Sequence, residues 1–230
     1  MAVITISREF GSEGNYIGPK VAKALGYRVV FKQTLKSIFE HYGIVDFEVL
    51  HQPRPHFWSG YDEARDESIE FMVDVIRAVA GYGNVILMGR CSGAILSDCS
   101  DVLNVRIQAP FDVRVQRIRR EHLVDAADVE RFVHDKDTEQ TRLFENFHCS
   151  KWEKATTFDM VVNTGKLSPD LAAQMIVEAA KSLEEATHLS EPTTRSIRVS
   201  PALRAMVREV LDAPPSENSI NWEQLESAYA

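Results

Sequence analysis

Residues 2–26, AVITISREFGSEGNYIGPKVAKALG, decide the fold. Val3 to Ile6 is a short β-branched run that predicts a strand. Arg8 to Gly18 is a glycine-bearing loop, and the residues after it read as a helix that stops at Gly26, a natural C-terminal glycine. A strand feeding a helix through such a loop aims backbone N–H groups and the positive helix end at one spot, where a phosphate can sit. Gly11, Gly14 and Gly18 supply the unusual backbone angles and close approach that a phosphate cradle needs. The pattern is incomplete: a full phosphate loop, G-x-x-x-x-G-K-[ST], has a lysine and a hydroxyl after its last glycine, whereas Asn15 and Tyr16 follow Gly14. A tight strand-to-helix turn in any α/β protein fits the loop as well.

Working outward, Tyr27 to Phe31 predicts a second strand and Thr34 to Tyr42 a helix, with Leu35, Ile38 and Phe39 on its apolar side. His51 to Tyr61 (HQPRPHFWSGY) predicts an irregular loop. It is either a flap whose Phe57 or Trp58 stacks on a base or a segment pinned to the body by its aromatics. Asp62 to Ala80 carries Ile69, Met72, Val73, Ile76 and Val79 at helical spacing. NVILMGR (84–90) is nearly all apolar, as a strand covered on both faces requires. Because ligands of open parallel sheets bind beyond the C-terminal strand ends, Arg90 is placed to face the same crevice as the glycine loop; a surface arginine capping a strand is the alternative.

VLNVRIQ (102–108) predicts a further strand. The helix after Pro110 carries Arg114, Arg117, Arg119 and Arg120, the densest basic cluster in the chain. Arg114, Arg117 and Arg120 share a face, either as phosphate clamps or as a solvated face balanced by Asp112 and Glu121. The polar stretch 128–147 predicts a projecting lid helix from which Asp137 and Arg142 could reach a nucleotide. FDMVVNT (158–164) is a last strand, and Ser168 with Pro169 starts a last helix of the body. Beyond Ala186 the composition turns polar, with a short helix over Pro201 to Leu211. This extension packs back on the body, reaches a partner chain or stays mobile. A folded core over 1–185, with 186–230 as linker and tail, is expected to survive truncation after Glu185.

Composition narrows the function classes. The 230 residues are 44% apolar, enough for a sizeable core, and carry a net charge of −8. That charge argues against a generic nucleic-acid or anionic-membrane surface, so any anion must be met by local arginines. No apolar run has the length of a membrane span and no signal-peptide pattern precedes the first strand, so a cytoplasmic address is expected. Cys91, Cys99 and Cys149 form no C-x-x-C pair, and neither a disulfide framework nor a zinc site is expected.

ITISREFGSEGNYIG, VILMGRCSGAIL, VLNVRIQAPFDVRVQRI, the Asp137 and Arg142 pair in D-x-x-x-x-R and FDMVVNTGKLSP, in this order, resemble the cytidylate kinase-like family of bacterial proteins. The resemblance covers residues 3 to about 183. It implies a phosphate-loop nucleoside monophosphate kinase fold: a three-layer α/β/α body around a parallel sheet, with a helical lid. It further implies ATP with Mg²⁺ as phosphoryl donor and a nucleoside monophosphate such as CMP as acceptor. By position, Arg8, Gly11, Ser12, Gly14 and Gly18 would form the phosphate loop, Arg90 would hold the acceptor phosphate, and Arg117, Asp137 and Arg142 would belong to the lid region.

The sequence departs from the family pattern at Glu13 (usually glycine), Asn15 (usually basic), Phe31 (usually aspartate), and Thr138 and Asn146 (often basic). The changes at Asn15, Thr138 and Asn146 remove charge complementary to phosphate, and Glu13 adds charge of the wrong sign, so Glu13→Gly is expected to tighten ATP binding. These departures keep two other functions open: a non-catalytic nucleotide-binding regulator, and an interaction scaffold without a ligand.

Overall fold

Val3, Ile4 and Ile6 are fully buried, which places the first strand at the centre of the sheet. The structure, a computed structural model, describes residues 2–43, 63–122, 126–147, 157–185 and 191–213. The aromatic segment 51–61 and Cys149 lie outside them.

Five strands, β1 (Val3–Arg8), β2 (Arg28–Val30), β3 (Val85–Met88), β4 (Val102–Gln108) and β5 (Met160–Asn163), form one sheet in the order β2-β3-β1-β4-β5. Every pairing is parallel; Val3 aligns with Val85 and Val102, and Ile6 with Met88 and Val105. Strands of this kind are covered on both faces, as the apolar runs of β1 and β3 require. Alternate side chains divide accordingly. Ile4, Ile6, Ile86 and Met88 pack with α1 (Gly14–Leu25) and α7 (Pro169–Glu185), while Val3, Val85 and Leu87 pack with α2 (Lys32–His41) and α3 (Glu63–Tyr82). The expected α/β body with a parallel sheet is therefore present.

Local signals end the helices where the residues suggest. Gly26 closes α1 in the left-handed region (φ 69°), its N–H donating to Ala22 O, and Ser168 Oγ accepts from Leu171 N–H at the start of α7. Two boundaries beside the loop differ from expectation. β1 runs on to Arg8, and α1 already begins at Gly14, so Gly18 lies inside the helix and not in the loop. A Cβ at Gly18 would stand 2.6 Å from Met88 Sδ: its small size serves helix-to-sheet packing.

The short helix α4 (Ser92–Ile95) follows β3, and α5 (Phe111–His122) follows β4. The lid helix α6 (Ala126–Asn146) is anchored near both ends. Val129 and Val133 pack on Val115, Ile118 and Phe10, and Leu143 and Phe144 on Cys91 and Ile95.

Of the three arrangements open to the extension, residues 191–213 take the first. Helix α8 (Pro201–Asp212) sets Leu203, Val207 and Leu211 into the same core as α2 and α3. Ahead of it, buried Thr194 donates through N and Oγ1 to the two carboxylate oxygens of Asp101, at 2.8 and 2.6 Å. Among the described residues no helix is long and apolar enough to cross a membrane.

Candidate functional site

β1 and β3 are neighbours, so their C-terminal ends bring Arg8 and Arg90 together above the start of α1. Gly89 N–H donates to Ile6 O, and residues 89, 90 and 91 then turn through successive left-handed angles, φ 75°, 57° and 58°. A non-glycine residue in that region costs about 1–2 kcal/mol, so Arg90 and Cys91 are held at an energetic cost, a feature that clusters at functional sites. Arg8 crosses the N-terminus of α1: a Cβ on Gly14 would lie 2.5 Å from Arg8 Cβ, and one on Gly89 would lie 2.3 Å from Arg8 Nη1. Its Nε donates to Asn15 Oδ1 at 3.1 Å. Burial, and then repulsion from Arg90, bring the Arg8 guanidinium down to about 10.

The loop proper is residues 9–13. Gly11 adopts φ 77° and lies beneath α5, where a Cβ would meet Arg114 and Ile118 at 3.1–3.2 Å. Ser12 is fully buried, its hydroxyl 2.7 Å from Glu9 O and 3.2 Å from Ile107 O, so the side chain braces the loop from within. Glu13 also sits in the left-handed region (φ 66°), but its carboxylate turns toward Arg117, Oε1 to Nε 3.4 Å. Arg117 donates further to Gly11 O, Thr164 Oγ1 and Thr164 O at 3.2, 3.0 and 2.7 Å. It braces the loop against the end of β5.

The arginine face of α5 is not uniform. Arg114 is 5% exposed and donates to both oxygens of Asp137 at 2.9 Å, to Phe10 O and to Ala109 O at 3.1 Å, and it lies 3.5 Å from Glu9 Oε2. Glu9 also accepts from Ala109 N–H and pairs with Arg106 at 3.3 Å. An alternating row of charges, Arg106, Glu9, Arg114 and Asp137, therefore ties β4, the loop, α5 and the lid together, while Arg120 is solvent-exposed. Asp137 thus meets an arginine of α5. Arg142 is exposed and lines, with His134, Asp137, Thr138 and Thr141, a shallow depression of about 390 Å³ on the lid.

Glu9, Arg106 and Thr164 are site residues that the sequence reading did not single out. Arg106 carried a signal, a charge in the otherwise apolar run VLNVRIQ; Glu9 and Thr164 carried none. Of the positions that depart from the family pattern, Phe31 packs on the core beside α1 and Thr138 Oγ1 donates to His134 O within its own helix. Among the described residues no cluster of His, Cys, Asp and Glu could hold a metal, and Glu9, Glu13 and Asp137 each face an arginine.

Comparison with known proteins bears on this arrangement. A cytidylate kinase from Ignicoccus hospitalis is 24% identical over 178 residues, spanning 76% of this chain and 97% of its own. One from Halobacterium salinarum is 21% identical, spanning 79% and 91%. A crystal structure of an uncharacterized protein from Eubacterium ventriosum shares the fold, with a TM-score of 0.62 at 22% identity over 79% of this chain and 98% of its own. The family model described as cytidylate kinase-like matches residues 3–166, which contain every strand, the loop, Arg90 and the lid helix. The chain therefore belongs to the cytidylate kinase-like family of nucleotide-binding, kinase-like proteins.

Proposed function

We propose that this chain transfers a phosphoryl group from ATP to a nucleoside monophosphate, with CMP as the acceptor, in the cytoplasm. The convergence of Arg8 and Arg90 at adjacent strand ends, over the N-terminus of α1, carries this proposal. A cation pair beside a helix start and a left-handed turn favours dianionic ligands. The residues fit a triphosphate. The backbone around Gly11 to Gly14 and the Arg8 guanidinium would hold it, Arg90 would take the acceptor phosphate, and Arg142 on the lid would approach from above. Mg²⁺ neutralises phosphate charge when bound. With the loop carboxylates committed to arginines, it has no protein ligand set among the described residues and would arrive on the triphosphate.

Phosphoryl transfer asks little covalent chemistry of a protein. Rate comes from aligning donor and acceptor and from charges fixed in place before reaction. The braced loop serves that purpose, because Arg117 and Ser12 hold its backbone independently of ligand. A second proposal, a nucleotide-binding regulator without turnover, draws on Asn15 in the lysine position and on Arg114 and Arg117 being committed inside the fold.

A thermal-shift panel of nucleoside mono-, di- and triphosphates with and without Mg²⁺, followed by an ADP-release assay, separates the two. Transfer predicts a shift with ATP and with CMP, loss of the CMP shift in Arg90→Ala, and ADP release dependent on both substrates. A shift without ADP release supports the regulator, and no shift with any nucleotide overturns both.

A further inference from the structure

We propose that Arg8 is the phosphate-binding cation of this loop, delivered from the end of β1 in place of the missing lysine, and that Asn15 is the residue that positions it. The ligand class is the polyphosphate of a nucleoside triphosphate, so the assignment rests on the nucleotide-binding function proposed above.

Three observations carry it. A phosphate loop needs a cation directly after its last glycine, and Asn15 there is neutral. Its carboxamide nevertheless meets a cation: Arg8 Nε donates to Asn15 Oδ1 at 3.1 Å, so the position holds a guanidinium from elsewhere. Two glycines clear the route. Any side chain at Gly14 would meet Arg8 Cβ and Cγ at 2.5 and 2.7 Å, and any at Gly89 would meet Arg8 Nη1 at 2.3 Å. Gly14 adopts a helical conformation, so what it supplies here is an absent side chain, in the place where Arg8 crosses. The neighbouring arginines are otherwise engaged: Arg106 with Glu9, Arg114 with Glu9 and Asp137, and Arg117 with Glu13. Arg8, half-buried, makes no ion pair among the described residues and stands beside a second guanidinium, Arg90. A buried charge is costly without a counter-charge, and a phosphate lodged here supplies one.

The test is calorimetric titration of the full chain with inorganic tripolyphosphate and with ATP plus Mg²⁺. Arg8→Ala should weaken both by about 10- to 100-fold, the range for lost charge-assisted hydrogen bonds. Adding Asn15→Lys to it should restore most of the affinity, because that lysine follows the last loop glycine; a purely structural role for Arg8 would not be rescued this way. Wild-type affinity in a folded Arg8→Ala variant, or no recovery in the double variant, overturns the assignment. Should Arg8→Ala fail to fold, Asn15→Asp decides. It keeps the acceptor for Arg8 Nε but neutralises the guanidinium, and must cost at least about tenfold in tripolyphosphate affinity; unchanged affinity overturns the proposal. A wild type that binds tripolyphosphate but no nucleotide keeps Arg8 and overturns the nucleotide function. One that binds neither overturns both.

Discussion

Glu13 stands at φ 66° with its carboxylate against Arg117, and these two facts act in opposite directions on stability. Glycine there would relieve the left-handed backbone but lose the ion pair; alanine would lose the pair and keep the strain. Glu13→Ala is therefore expected to be less stable than Glu13→Gly by about 1–2 kcal/mol, measured by urea unfolding. Equal stabilities would show that the backbone angle is not a cost. The tightening of ATP binding expected for Glu13→Gly also shrinks, since Arg117 already offsets the carboxylate. Arg8 has a pH signature. Its folded-state value is depressed from the ordinary arginine range to about 10. Above about 10 and below the ordinary arginine range, the unfolded chain holds a proton that the folded chain lacks, so apo stability rises with pH there and the penalty is complete at lower pH. Phosphate binding needs the charged form and should fall as pH passes about 10. Arg8→Gln, compared with wild type in tripolyphosphate titrations at rising pH, should lack that fall. Parallel curves would remove Arg8 from the site.

At the scale of elements, the lid is bolted to the loop. α6 carries Asp137 to the buried Arg114, which also holds Phe10 O, and its apolar ends grip α5 on one side and the turn after Arg90 on the other. Phe10 and Phe132 add an edge-to-face contact with centroids 5.4 Å apart. Asp137→Ala would leave the Arg114 guanidinium buried with only Glu9 and two carbonyls. Because Asp137 is itself about one-third exposed, the expected loss is about 2–4 kcal/mol, below the full cost of breaking a fully buried pair. Chemical denaturation measures it, and a loss under about 0.5 kcal/mol would mean the pair behaves as a surface contact. The helix itself was legible from its polar stretch with sparse apolar positions. That its aspartate is held by an arginine of α5 was not, because a heptad-scale pattern says which residues share a face and nothing about what that face meets.

For the molecule as a whole, α8 changes what counts as the core. Leu203, Val207 and Leu211 are at most 5% exposed, and burying such side chains contributes about 1.5–3 kcal/mol each. Their sum, about 5–9 kcal/mol, is as large as the net stability of many domains. Tyr82 OH also donates to Asp212 Oδ1 at 2.6 Å, and Asp101 receives Thr194. Truncation after Glu185, expected from sequence to leave a folded core, should instead give a protein that aggregates or melts without cooperativity in differential scanning calorimetry. Cooperative melting near the wild-type temperature would show that the body closes over the exposed face of α2 and α3 by itself.

Sequence alone determined the order and kind of the elements apart from the short α4, because strand and helix periodicities, the Gly26 stop and the Ser168 cap act over a few residues. It also placed Arg90 at a strand end and Gly11 in the loop that follows another, where a parallel sheet presents its ligand crevice. What it could not supply was the partner of each charge. Arg114 and Asp137 are 23 positions apart, and Glu9 and Arg106 are 97 apart, so only the packed chain brings them into contact. Tertiary structure decided that Arg114 and Arg117 brace the loop, that the Glu13 carboxylate turns toward Arg117, and that Arg8 crosses Gly14 to reach Asn15. It likewise seated the polar-looking extension on the body, since three apolar residues on one helix face find their partner only when the rest of the fold presents it.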